Sequence, residues 1–299
     1  MLVDLYVGNL LQVLPILDTV DLVFGSPPYE DARTYGIGFA LTGQAWVDLM
    51  VRVYNACVPQ CRGLTAFVVA GRTKRYQWSA TPALLEADLH RAGHCLRNTP
   101  LFHRVGIPGS GGPDWLRSDY ERIVCVTQKR GRLPWSDNKA MGHEPKYAIG
   151  GEPSHRIQSG ERVNGLHKQC RQITHKSTKM TMRGYDADGI PMRGYYSPPT
   201  KANPGNVISI PVGGGKLGSK FAYENEAPFP EKLADFFIRS FCPPDGTVLD
   251  PFCGSGTTCA AAVKAGRRAI GIDIRESQVR LTQRRLKEDC GVTAGVYEI

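Results

Sequence analysis

With 299 residues, 41% of them hydrophobic and 22% charged, the chain has the makeup of a globular protein and the length for one large domain or two modest ones. No run approaches the roughly 18 apolar residues of a membrane span, and no secretion signal opens the chain, so a cytoplasmic location is expected. The net charge of +9 is unevenly spread: residues 151–220 hold 11 Lys/Arg against 4 Asp/Glu, which points to a polyanion surface confined to one part of the molecule.

The first 130 residues alternate between strand and helix patterns. Leu2–Val7 and Val20–Phe24 read as strands, the second running into the turn Gly25-Ser26-Pro27-Pro28. Ala45–Val58 has apolar residues at three- and four-residue steps and predicts a helix. Leu64–Ala70, closed by Gly71, predicts a strand. Thr81–Ala92 predicts a helix with Thr81 as N-cap, Pro82 in the first turn and Gly93 beyond the end. Leu101–Val105 and Arg122–Thr127 read as two further strands, joined by a glycine-rich loop over 106–112.

From about Lys129 to Lys220 Gly, Pro, Ser and basic residues dominate, and no helical period persists. Met182-Arg183-Gly184-Tyr185 recurs here as Met192-Arg193-Gly194-Tyr195. The acidic turn between the copies lacks the further oxygen ligands of a calcium loop. Regular patterns return after Phe229: helix over Pro230–Phe241, strand over Thr247–Leu249, helix over Thr257–Ala265, strand over Ala269–Ile272, helix over Glu276–Glu288. Strands alternating with helices predict an α/β fold, a doubly wound, mostly parallel sheet covered on both faces. It divides into 1–130, an irregular basic insert over 131–220, and 221–299. The nine cysteines are scattered and fit neither a disulfide framework nor a zinc site, so reduced thiols and no metal are expected.

Two short segments carry chemistry. Asp250-Pro251-Phe252-Cys253-Gly254-Ser255-Gly256-Thr257 follows a strand and opens a helix, where ligands bind in open α/β folds. Its glycines let the backbone approach a bound molecule. The Asp250 carboxylate suits a cationic group, and Asp273, closing the next strand, suits ribose hydroxyls. Cys259 stands where a dinucleotide fingerprint needs a third glycine, and Gly215-Lys216 is followed by Leu217, which excludes a P-loop. A nucleoside cofactor without a pyrophosphate fits best. The second segment, Ser26-Pro27-Pro28-Tyr29, places acceptors at Ser26 Oγ and the Pro27 carbonyl on a backbone stiffened by two prolines. Such acceptors can hold both N–H groups of an exocyclic amine, and Tyr29 offers a face for an extruded base. Ser197-Pro198-Pro199-Thr200 repeats the first three residues without the strand or the aromatic, so no catalytic role is expected there.

Together these residues resemble the amino-methyltransferases of DNA, in the circularly permuted beta group where the catalytic motif precedes the cofactor motif. The resemblance covers roughly residues 2–130 and 221–290, with Ala227–Leu233 similar to the segment that flanks the cofactor. It implies S-adenosylmethionine as cofactor, double-stranded DNA as partner, base flipping, and the basic insert as target-recognition region. The implied catalytic residues are Ser26, Pro27, Pro28 and Tyr29. The implied cofactor contacts are Asp250, Pro251, Phe252, Cys253, Gly254, Ser255, Gly256, Thr257, Asp273, Phe229, Pro230 and Asn9. Asn9 stands where the family often has Asp, and Asn225 where it often has an imidazole. Ser in the first position, as in Ser26, implies cytosine N4 as target, with adenine N6 and a catalytically silent DNA-binding regulator as the alternatives. Carbon-5 methylation is disfavoured because Tyr29, not Cys, follows the prolines. Arg171, Arg183 and Arg193 are the candidates for DNA contact, and any cognate restriction endonuclease would be a separate chain.

Overall fold

Every apolar run of residues 2–127 and 247–272 that reads as a strand folds as one. The computed structural model describes residues 2–30, 39–107, 111–144, 154–156, 159–164 and 201–299. Among these the strands in chain order are β1 (Val3–Val7), β2 (Val20–Gly25), β3 (Cys61–Val69), β4 (Thr73–Lys74), β5 (Gln77–Trp78), β6 (Cys95–Leu96) and β7 (Leu101–Val105). There follow β8 (Tyr120–Thr127), β9 (Ser154–Arg156), β10 (Arg162–Asn164), β11 (Val207–Pro211), β12 (Thr247–Asp250), β13 (Arg268–Asp273) and β14 (Gly295–Glu298). The α-helices are α1 (Leu10–Val13), α2 (Gly43–Gln60), α3 (Thr81–Arg91), α4 (Glu231–Phe241), α5 (Thr257–Lys264) and α6 (Glu276–Cys290). None of the described helices is long and apolar enough to cross a membrane.

The main sheet runs β11-β7-β8-β3-β2-β12-β13-β1-β14, with β6 also paired to β8. Its pairs are parallel except where β8 meets β3, β7 and β6. Successive side chains of a strand point to opposite faces, and two apolar clusters follow from that. Leu22, Phe24, Ala66 and Val68 pack with α4, α5 and α6 on one face. Val23, Phe67 and Val69 pack with α2 and α3 on the other. Both faces of the central strands are therefore covered, which is why β2 and β3 read as near-continuous apolar runs rather than alternating ones.

By contacts the chain divides into two compact units, residues 1–141 with 205–299, and residues 142–204. The first holds the main sheet. In the second, β9 and β10 pair antiparallel and His143 bridges Ala202. The basic stretch is thus shorter than its composition implies, because Val207–Pro211 pairs in parallel with β7 and belongs to the sheet. Ile208 and Ile210 of that strand are buried while their neighbours are exposed, the alternation of an edge strand with one packed face. Strand β14 likewise joins the far edge beside β1. At α3 the cap differs from expectation: Ala80 is the N-cap and Thr81 is the first helical residue, buried, its hydroxyl 3.3 Å from Ser79 Oγ rather than on the helix N–H groups.

Candidate active site

Strands β2 and β12 are parallel neighbours, with Leu22 beside Val248 and Val23 beside Leu249. From β12 the chain winds through α5 to β13 on one side, while β2 winds through α2 to β3 on the other. The crevice beyond their carboxyl ends is therefore a topological switch point, the usual ligand position in such sheets. The two segments singled out in the sequence leave these two strands and meet there.

They share a cavity of about 190 Å³. Ser26, Pro27 and Pro28 line one side, and Pro251, Phe252 and Gly254 another. Asn9, two residues beyond β1, and Asp273, at the end of β13, line it as well, with Leu10, Phe39 and Leu49 as apolar wall. Asn225 and Arg275 complete the rim. Asn9 also caps α1, its side chain accepting the Leu11 N–H at 3.0 Å.

Asp250, Cys253, Ser255, Gly256 and Thr257 do not line this cavity; they shape the loop from behind. The Asp250 carboxylate is 1% exposed, accepts the Phe252 N–H at 3.0 Å, and lies against Gly25 where a Cβ would collide with it. Burial pushes it up to about 7. It is a strut between the motif ends rather than a carboxylate offered to a ligand. Cys253 is buried, its N–H donates to the Ile272 carbonyl at 2.8 Å, and burial pushes its thiol well above the usual range, so it packs as a neutral group.

Gly254 has φ +50°, and a Cβ there would strike the Asn225 amide. Its N–H donates to Asp273 Oδ2 at 3.0 Å and its carbonyl accepts the Thr282 hydroxyl at 2.7 Å. Asp273 Oδ1 accepts the Arg275 N–H at 2.9 Å. Each carboxylate oxygen keeps a second lone pair, so Asp273 can orient the loop and still accept from a ligand. Burial raises its carboxyl above the ordinary range. Arg275 in turn forms a two-point pair with Glu226, at 2.8 and 3.3 Å.

Beneath the loop stands a residue that no motif announces. Arg285 of α6 is fully buried, donates to the Ser255 carbonyl at 3.2 Å and to Thr257 Oγ1 at 3.0 Å, and pairs with Glu231 at 2.8 Å. An arginine at a buried helix position is the only trace it leaves in the sequence.

On the other side, Trp46 Nε1 donates to the Pro28 carbonyl at 2.8 Å, pinning the second proline. Ser26 Oγ donates to Tyr29 Oη at 3.2 Å or to the Val68 carbonyl at 3.3 Å, and Tyr29 Oη donates to Glu121 Oε2 at 2.8 Å. Glu121, nearly buried at the start of β8, pairs with Arg104 at 3.1 Å. Burial raises its carboxyl, opposed by the Arg104 charge and the Tyr29 hydrogen bond. Glu121 and Arg104 were not legible as site residues, since Glu121 stands among polar and charged neighbours just before the apolar run Ile123–Val126. Tyr29 opens instead on a second cavity of about 580 Å³, with Arg72, Trp78, Arg104 and Trp115 on its walls. Phe229 and Pro230 line this second cavity rather than the first, and the Phe229 ring packs edge-on against Phe24 at 5.7 Å. Arg171, Arg183 and Arg193, the Met-Arg-Gly-Tyr repeat and the second Ser-Pro-Pro lie outside the described residues.

Over 274 residues the chain is 26% identical to the orphan methyltransferase M.BamHII of Bacillus amyloliquefaciens, covering 90% of this chain and 89% of that one. Among solved structures it resembles the PvuII DNA methyltransferase (cytosine-N4-specific), with a TM-score of 0.65 at 16% identity over 97% of this chain and 88% of that one. It also resembles TTHA0409 of Thermus thermophilus in complex with S-adenosyl-L-methionine, with a TM-score of 0.58 at 20% identity over 99% and 98%. At such identities the likeness is one of fold, the doubly wound methyltransferase sheet in permuted order. The DNA methylase profile, by contrast, matches the sequence itself over residues 20–284, from the strand that presents Ser26 to the helix that supports the glycine loop, and the chain belongs to that family.

Proposed function

We propose that the protein transfers a methyl group from S-adenosylmethionine to the exocyclic N4 of cytosine in duplex DNA, within a short recognition sequence. The observation that carries this reading is the convergence of Ser26-Pro27-Pro28 and Pro251-Phe252-Gly254 on one cavity. The residues present fit the cofactor. Gly254 offers bare backbone to the cavity, Leu10, Leu49 and Phe252 suit a flat purine, and Asp273 retains lone pairs for ribose hydroxyls. When bound, the cofactor supplies an electrophilic methyl group.

The protein's own contribution is to prepare the nucleophile. An exocyclic amine is a weak nucleophile because its lone pair is delocalised into the ring. Ser26 Oγ accepts one N–H of the amine, and the proline-stiffened backbone offers a second acceptor at the Pro27 carbonyl. Both favour the geometry in which the lone pair turns out of the ring plane. The second cavity, walled by Tyr29, Trp78 and Trp115, suits a base extruded from the duplex, since aromatic faces stack on bases at about 1–3 kcal/mol each. Its rim carries the β4–β5 hairpin, whose tip is Arg75 and the exposed Tyr76. The Tyr76 ring meets Trp115 at 5.6 Å. Arg72 and Lys74, on the arm that leads into this tip, suit phosphate contact. The basic residues 142–204 remain the candidate for reading sequence, with Arg171, Arg183 and Arg193 as the proposed contacts.

Cytosine is favoured over adenine by Ser26 in the first motif position and by the cytosine-N4 specificity that the PvuII enzyme's name states. Labelled methyl transfer to mixed genomic DNA, followed by nucleoside mass analysis, tests the reading. N4-methylcytosine is the expected product. N6-methyladenine would keep the mechanism and overturn the base, and label in RNA alone would overturn the substrate class.

A further inference from the structure

A serine hydroxyl can donate or accept a hydrogen bond. Methyl transfer to an amine needs Ser26 to accept, because the amine brings N–H donors. Nothing in Ser26 itself enforces that direction. Its neighbours do: Ser26 Oγ lies 3.2 Å from Tyr29 Oη, and Tyr29 Oη lies 2.8 Å from Glu121 Oε2. An ionised carboxylate only accepts, so the Tyr29 proton points to Glu121. Tyr29 then meets Ser26 as an acceptor. The Ser26 proton goes to Tyr29, or to the Val68 carbonyl at 3.3 Å, and its lone pairs are left for a donor in the cavity.

The arrangement depends on Glu121 staying charged although only 7% exposed. Arg104 of β7 holds its other oxygen at 3.1 Å, and Tyr29 faces it from the loop after β2. We propose that Glu121 is a positioning residue for methyl transfer, whose carboxylate, braced by Arg104, sets the direction of the Glu121–Tyr29–Ser26 chain so that Ser26 accepts from the target amine. This rests on the reading of the site as a DNA amino-methyltransferase.

Protonating Glu121 reverses the logic. A carboxylic acid can donate to Tyr29, which can then donate to Ser26 and compete with the amine for the Ser26 lone pairs. Activity should therefore fall as pH falls. Because burial raises the Glu121 carboxyl, the fall should occur above the ordinary glutamate range.

The test is a double-mutant cycle between Glu121→Gln and Tyr29→Phe, with kcat and KM for a duplex measured from about pH 5 to pH 9. Beside it, the Glu121 carboxyl is titrated by NMR in the cofactor-free protein. Glu121→Gln should lower kcat about 10-fold at neutral pH, within the range of coupled neighbours, with little change in KM for the cofactor. In the Tyr29→Phe background it should cost less than about 2-fold. The acid limb of kcat should vanish in either single variant, and in the wild type it should coincide with the Glu121 titration. Equal losses in both backgrounds, or an acid limb that survives in Glu121→Gln, would assign Glu121 a purely structural role and overturn the proposal. Tyr29→Phe keeps the ring and removes only the hydroxyl, so its own pH profile decides the matter should Glu121→Gln fail to fold. A wild-type enzyme that methylates no DNA overturns the functional reading itself, and this proposal with it.

Discussion

The Asp250 carboxylate rests against the bare Cα of Gly25, joining the strand end that precedes Ser26 to the strand end that precedes Pro251. A Cβ at position 25 would occupy the space of a carboxylate oxygen. Gly25→Ala is therefore expected to force the two strand ends apart, destabilising the fold by about 1–3 kcal/mol. Cofactor affinity should fall with it. Denaturant midpoints and calorimetric binding check both, and unchanged values would show that the contact is slack.

The same carboxylate gives stability a pH dependence. Burial pushes Asp250 up to about 7 from 3.8, so the folded state holds its proton more tightly than the unfolded chain does. Its contribution is fully present below about pH 4 and is lost as pH rises through about 7. The wild type should lose stability over that window, and Asp250→Asn should lose less. The comparison of unfolding midpoints near pH 5 and pH 8 reads this difference; parallel curves for the two proteins would contradict it.

Ser26→Ala removes the proposed acceptor while leaving the cavity wall in place. Turnover should drop about 10²–10³-fold, the usual cost of deleting one preorganised hydrogen-bonding group. Binding of S-adenosylmethionine should stay within about 2-fold of wild type, since the expected cofactor contacts lie on the opposite wall. Isothermal titration and single-turnover rates separate the two. Full turnover in the variant would remove Ser26 from the mechanism.

Arg285 bears on the glycine loop through the Ser255 carbonyl and Thr257, and its charge is matched by Glu231 at 2.8 Å and Asp289 at 3.6 Å. Arg285→Met deletes both loop hydrogen bonds and leaves Glu231 paired with Lys264 at 2.7 Å, and should cost about 3 kcal/mol. Adding Glu231→Gln should recover little, because it takes from Lys264 the carboxylate it pairs with. A large recovery of the unfolding midpoint would mean that the Arg285–Glu231 ion pair, not the loop contacts, dominates.

Tyr76 is 70% exposed at the hairpin tip beside the second cavity. If this edge meets DNA during base extrusion, Tyr76→Ala should lower kcat/KM on a matched duplex several-fold. Activity should return when the target base faces an abasic site, where unpairing costs less. An equal loss on both duplexes would reduce Tyr76 to a general binding contact.

Much of this was open to inspection in the linear chain. Periodicity located β1, β2, β3, β7, β8, β12, β13 and the helices α2 to α6 to within a few residues, because each covers a buried face with apolar side chains at its own period. Helix α1 and the two-residue strands β4, β5 and β6 are too short to show one. Strand β11 escaped because it is short, alternates only two isoleucines and ends on a proline. Composition grouped it with the basic insert, yet its partner is β7, about a hundred residues earlier. The Thr81 cap failed for a similar reason: a hydroxyl with a neighbour at Ser79 need not turn to the helix.

By itself the sequence determined which residue types are available for chemistry and which local turns display them, since a strand followed by Ser-Pro-Pro or by a glycine loop is a short-range matter of backbone stereochemistry. What only the tertiary structure decided is which of them act together. The pairing of β2 with β12 brings Ser26 and Phe252 onto one cavity, and moves Asp250 and Cys253 behind it. The pairing of β3 with β8 brings Glu121 to Tyr29. These are long-range strand pairings held by burial on both faces of the sheet, and no local pattern in the chain encodes them.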